Sequence, residues 1–182
     1  MAGRVPELHD EILAAAARRF AFAGYKGTSL QDIAREVGCS KAAVLYHFPS
    51  KEVLLFELMA PALAVIRALE DSIAATAGPA SAQRVAMEGF VDLAVQFRRE
   101  MALLRGEFRE LLESPEFAHL ERFADRLVDA VAGHSDRPAA RIAARVMLAG
   151  IAETSGDFDD VSDDELRETL LALLRGALEP TD

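Results

Sequence analysis

Residues 40–51 bring together the side chains best suited to chemistry. Ser40, Lys41, Ala42, Ala43, Tyr46 and His47 fall on one side of a short helical stretch, and Val44 and Phe48, one helical turn apart, form the other. A hydroxyl, an ammonium, a phenol and an imidazole beside two methyl groups can exchange hydrogen bonds with base edges and touch thymine methyls. Small residues at the start of the helix allow close approach, and Lys41 suits guanine or a phosphate. Thr28 and Lys51 each stand at the start of a predicted helix, where anions are favoured, so both are expected to hold phosphates. The chemistry implied is recognition of double-stranded DNA. Thr28 and Lys51 would set register, while Ser40, Lys41, Ala42, Ala43, Tyr46 and His47 would specify sequence.

Covalent chemistry has no comparable set. The four histidines (His9, His47, His119, His134) are far apart, and no His-Glu-x-x-His helix, Gly-rich phosphate loop or serine elbow occurs. The run Asp157-Phe158-Asp159-Asp160-Val161 starts like a calcium loop, but Val161 takes the third ligand position and no Gly follows it. No enzyme activity, metal site or cofactor is expected. Cys39 is the only cysteine, so no internal disulfide can form and a reducing, cytoplasmic setting is expected.

The elements that must position the reading helix are themselves helical. Helix 1 is predicted from near Pro6 to Gly24, with Leu8, Ile12, Ala16 and Phe20 inward and Gly24 in a left-handed cap. Helix 2 opens at Thr28 or Ser29, with Ser29 and Asp32 as a capping box, and buries Leu30, Ile33, Ala34 and Val37. Gly38 turns the chain, Ser40 caps helix 3, and Pro49 stops it. Helix 4 runs from Lys51 towards Ala77, and Pro61 should kink it. After a break at residues 78–81, five more helices are predicted over about 82–98, 101–112, 114–132, 138–155 and 162–179. The architecture expected is all-α: about nine helices, with a three-helix helix-turn-helix domain at 1–50 and a helical domain at 51–182.

Charge divides the same way. Apolar residues make up 51% of the chain and the net charge is −10. Residues 1–52 carry seven Lys/Arg against six Asp/Glu, so the remaining residues hold all of the negative excess. Any phosphate contact must be local, since the molecule as a whole is repelled by DNA. No apolar run reaches the ~20 residues needed to span a bilayer, and the first residues carry no apolar signal region, so no membrane partner is expected.

GYKGTSLQDIAREVGCSKAAVLYHFPSK at residues 24–51, preceded by ARRFAFAG, resembles the TetR family of bacterial transcription regulators. The spacing of Gly24, Thr28, Ile33-Ala34, Gly38, Ser40-Lys41, Phe48 and Ser50-Lys51 carries the resemblance. Two positions depart from it. The family usually has Gly where this chain has Ala42, and a phosphate-contacting Tyr where it has Leu45. The aromatic stands instead at Tyr46, about 100° round the helix.

The resemblance implies a C-terminal domain that binds a small apolar or amphipathic effector and dimerises. Met59, Leu63, Phe97, Phe108, Phe123 and Met147 are the candidates for lining an effector pocket, with Arg105 as a polar group to orient the ligand. Ile142, Val146 and Gly150 on helix 8 and Leu166, Leu170, Leu173 and Leu174 on helix 9 are the expected homodimer surface. The function implied is a ligand-responsive DNA-binding regulator, a repressor released from a pseudo-palindromic operator by an unknown small-molecule effector. A constitutive DNA-binding protein with no effector cavity is the alternative.

Overall fold

The computed structural model describes residues 4–103, 118–158 and 160–178. Every regular element among them is helical: nine α-helices and one short 3-10 turn. The helices are α1 (Arg4–Gly27), α2 (Leu30–Val37), α3 (Lys41–His47), α4 (Lys51–Ala75), α5 (Pro79–Gln96), α6 (Arg98–Leu103), α7 (Ala118–Val131), α8 (Pro138–Thr154) and α9 (Asp163–Leu178). The chain forms two compact units. The first reaches Pro61, and the second takes in most of the chain from Ala62 onward.

In the first unit, Ile12, Ala15, Ala16 and Phe20 recur at helical spacing and are buried along α1. Gly24 does not take the expected left-handed cap. Its φ of 75° is paired with a ψ of 163°, and helical structure resumes as far as Gly27. Backbone carbonyls around the interruption take side-chain donors. The Thr28 hydroxyl donates to Gly24 O (2.9 Å) and Arg19 O (3.1 Å). Ser29 and Asp32 form the capping box at the start of α2, and Gly38, at φ 78° and ψ 24°, is the left-handed turn that ends it.

Helix α4 begins in this unit and passes through Pro61 as one helix. Its first turns are tied to α1 by His9 Nε2 with Glu57 (2.9 Å) and by Tyr25 OH donating to Glu52 (3.2 Å). The division therefore falls inside α4, beyond Ser50.

In the second unit, α5 is the central helix. Ala86, Phe90, Val91, Leu93 and Ala94 are buried, and α7, α8 and α9 pack around it. Helix α5 starts at Pro79 rather than three residues later, because a proline fits the first helical turn. Gly89 lets α4 come close, since a Cβ there would run into the Leu69 methyls. Arg98 holds the loop before α9. Its Nη1 donates to Phe158 O and Val161 O, both at 3.1 Å, and its Nη2 meets Asp163 at 3.1 Å. Ser162 caps α9 through its hydroxyl, which accepts the Glu165 amide at 3.3 Å. The continuation expected for helix 6 and the expected start of helix 7 lie outside the described residues.

Candidate nucleic-acid interface

Helix α3 is short, and its neighbours hold it. Ser40 Oγ accepts the Ala43 amide at 3.1 Å, fixing the first turn. Val44 and Phe48 are fully buried. At about 1.5–3 kcal/mol for each fully buried large side chain, this inner face is what fixes the rotation of the helix. Ser40, Lys41, Ala42, Leu45 and Tyr46 are then exposed, with Ala43 and His47 half-buried. Tyr46 is 81% exposed against 39% for Leu45, so the phenol, and not the residue before it, projects furthest.

The far end of α3 rests on a cluster of rings. His9 lies 4.7 Å from Phe48 and 6.0 Å from His47, and the Tyr46 ring stands edge-on to His47 at 5.3 Å. The six residues read from the sequence as the base-reading set, Ser40, Lys41, Ala42, Ala43, Tyr46 and His47, are thus brought together on one short helix.

Thr28 and Lys51, expected to hold phosphates, each have partners within the protein. Thr28 is only 2% exposed, and its hydroxyl closes the broken end of α1. Lys51 Nζ donates to Tyr25 O (2.7 Å) and Thr28 O (3.0 Å) and sits 4.1 Å from the centre of the Tyr25 ring. Both side chains donate to backbone carbonyls at the end of α1 and in the link that follows it. Sequence position at a helix start does not reveal those contacts.

Several other charges of this unit are paired. Arg18 and Arg19 converge on Glu36, with Arg18 Nε at 2.8 Å, and Arg35 meets Asp32 at 3.0 Å. The hydrogen bond from Arg18, followed by those from Arg19, holds the Glu36 carboxyl below its ordinary range. Asp32 is lowered chiefly by the Ser29 hydroxyl and amide, and Glu52 chiefly by the Ser50 hydroxyl.

The described residues expected to line an effector pocket divide between the two units. Met59 is buried in the first unit, and Leu63, Phe97 and Phe123 are buried in the second. Met147 is half-buried, and Arg105 and Phe108 lie outside the described residues. The second unit does carry an open groove of about 770 Å³, lined by Ile73, Ala82, Phe123 and Leu127 together with Glu70, Arg126, Asp129 and His134. Glu70 and Arg126 are ion-paired there. Of the expected residues that are described, only Phe123 lines it. The others come from the end of α4, the start of α5 and α7, which no sequence periodicity links.

The expected dimer stripe separates into two sets. Leu166, Leu170 and Leu174 are at most 5% exposed, so they belong to the core of the protomer. Ile142, Val146 and Leu173 are 62%, 63% and 53% exposed, and Gly150 has open space where a Cβ would lie. Leu173 and Leu174 are neighbours about 100° apart on α9, which is why adjacent leucines have opposite fates.

Residues 12–58 match the family model described as bacterial regulatory proteins, tetR family. The chain is 27% identical over 122 residues to the HTH-type transcriptional repressor KstR2 of Mycobacterium tuberculosis, a match spanning 66% of this chain and 61% of that protein's length. The solved structure of that ketosteroid transcriptional regulator covers 100% of this chain and 97% of its own, at 18% identity and a TM-score of 0.73. The regulator FadR from Bacillus subtilis in complex with stearoyl-CoA covers 94% and 98%, at 17% identity and a TM-score of 0.65. AibR in complex with isovaleryl coenzyme A and operator DNA covers 96% and 100%, at 20% identity and a TM-score of 0.65. At these identities the structural likenesses establish the fold. Residues 12–58 thus carry the helix-turn-helix segment of the tetR family of bacterial regulatory proteins, and the all-helical fold is the one seen in regulators of that family.

Proposed function

We propose that the protein is a homodimeric, effector-responsive DNA-binding transcription regulator, acting as a repressor. The observation that carries this reading is α3, anchored by Val44 and Phe48 and presenting Ser40, Lys41, Ala42 and Tyr46 outward. Such a helix suits the major groove, where hydrogen-bonding and methyl contacts distinguish base pairs. Ile142, Val146, Gly150 and Leu173 supply an apolar surface for a second copy. A twofold dimer would read a pseudo-palindromic operator with half-sites about 34 Å apart.

The effector we assign is an amphipathic small molecule. In support, the second unit's groove is lined by both apolar and charged residues, and the FadR and AibR structures hold acyl-CoA thioesters. To empty a largely bound operator, the effector must favour the released state by about 5.5 kcal/mol. No helix among the described residues is long and apolar enough to cross a membrane, which fits a partner in solution. The burial of Leu63 and Phe97 as packed core favours a second reading, a constitutive DNA-binding protein.

Selection of bound duplexes from a random pool, followed by titration of each complex with acyl-CoA thioesters and other amphipathic metabolites, tests both. An enriched pseudo-palindrome released by an effector is expected. Enrichment with no release by any effector leaves the constitutive reading, and no enrichment removes both.

A further inference from the structure

We infer that the groove of the second unit takes a cationic amphiphile, an ammonium head on an apolar body, and disfavours anionic ones such as the acyl-CoA thioesters of the FadR and AibR structures. The inference narrows the amphipathic effector proposed above and rests on that reading. The groove's volume of about 770 Å³ falls within the range of small-molecule sites, about 300–1,000 Å³. Ile73, Phe123 and Leu127 give an apolar chain a surface to bury against. The charged lining sets the sign of the head. It consists of Glu70, Asp71 and Asp129 with Arg126 and His134.

Each cation of that lining stands beside a carboxylate. Arg126 is paired with Glu70, and His134 Nδ1 lies 2.7 Å from Asp129, which Arg141 also reaches at 3.0 Å. Asp71 is exposed and has no ion pair among the described residues. An ammonium head therefore gains a carboxylate at Asp71. An anionic head meets Asp71 as a like charge, and reaches Arg126 or His134 only where a carboxylate is also present. That preference follows from which charges are present, and does not require the exposed pairs to hold tightly. The wider charge has the same sign. Residues 62–182 carry thirteen Arg, no Lys and twenty-three Asp/Glu. The stretch 104–117 within them has two Arg and four Glu, so it does not reverse the balance. A field of that sign concentrates cations near the groove and depletes the phosphates of a coenzyme A head.

The test titrates the full chain, without DNA, with three ligands that share one alkyl chain (octylammonium, octanol and octanoate) and with octanoyl-CoA. Binding is read by calorimetry at fixed ionic strength. At about 4 Å in a water-like medium one carboxylate changes affinity for a unit charge about fivefold, upward for a cation and downward for an anion. Octylammonium is expected to bind at least about tenfold more tightly than octanoate or octanoyl-CoA. Asp71→Asn should cost octylammonium about fivefold and leave octanol unchanged. Glu168→Gln makes the same change of charge outside the lining and should leave both unchanged. Octanoate or octanoyl-CoA binding as tightly as octylammonium overturns the inference and leaves an amphipathic effector standing. An octylammonium affinity that Asp71→Asn does not alter, or that Glu168→Gln lowers as much, overturns it too. Absence of binding by all four removes the amphipathic effector together with the inference, which separates the two failures.

Discussion

In the DNA-reading unit the exposed groups of α3 and its cap are mostly polar or small: Ser40, Lys41, Ala42 and the Tyr46 phenol. On α8 and α9 the large exposed groups are aliphatic: Ile142, Val146 and Leu173. Both sets stand on helices whose opposite faces are buried, so exposure here is not a failure to find a core. The two surfaces ask for different partners. A polar, hydrogen-bonding face suits a hydrated groove, where water can replace each contact in the free state. An aliphatic face suits another protein surface, because only burial recovers the unfavourable hydration of those groups.

The comparison can be broken most forcefully at the buried faces. Phe48→Ala should cost about 3–5 kcal/mol, seen as a lower urea midpoint, and should abolish DNA binding by unseating α3. Lost binding with an unshifted midpoint would mean that Phe48 is not part of the core that orients α3. On the second surface, Leu174→Ala should cost about 2–5 kcal/mol. Val146→Asp, on the exposed stripe, should leave protomer stability within about 0.5 kcal/mol while sedimentation shifts from dimer to monomer. Equal destabilisation by the two variants would erase the distinction between core stripe and contact stripe.

Thr28→Val sharpens the boundary between structural and DNA-facing residues. It removes the donor to two carbonyls and should cost about 1–2 kcal/mol, with operator affinity unchanged well below the melting range. Normal stability with weakened binding would instead restore Thr28 as a phosphate contact.

The smallest effect is a pH dependence. Glu36 is held below its ordinary value in the folded state, chiefly by Arg18, so its contribution is present above the ordinary carboxylate range. It is lost as pH falls through the depressed folded value. Stability should therefore fall on acidification below about pH 4.5, and Glu36→Gln should flatten that part of the profile. The pair is exposed, so added salt should shrink the effect as well. A wild-type protein that gains stability over this range would show that the Arg18–Glu36–Arg19 contact does not stabilise the fold.

Much of the fold was legible because its signals are local. Ser29 with Asp32, Gly38, Ser40 and Ser162 mark helix ends through bonds within three or four residues, and the period of Ile12, Ala16 and Phe20 marks a buried face. The outward set on α3 was legible for the same reason, since one helix of known rotation decides it.

What the sequence alone determined is therefore the all-helical class, the helix-turn-helix segment and the buried pair, Val44 and Phe48, that seats α3. Each depends on neighbours a turn away. Tertiary structure decided three further matters. It bonded Thr28 and Lys51 to backbone carbonyls around the irregular end of α1, contacts between residues as far apart as 26 positions. It split the leucines of α9 between core and surface, because the packing of α5 and α8 selects which arc of the helix is covered. It also gathered the groove residues Ile73, Ala82, Phe123 and Leu127 from three helices whose meeting no local period encodes.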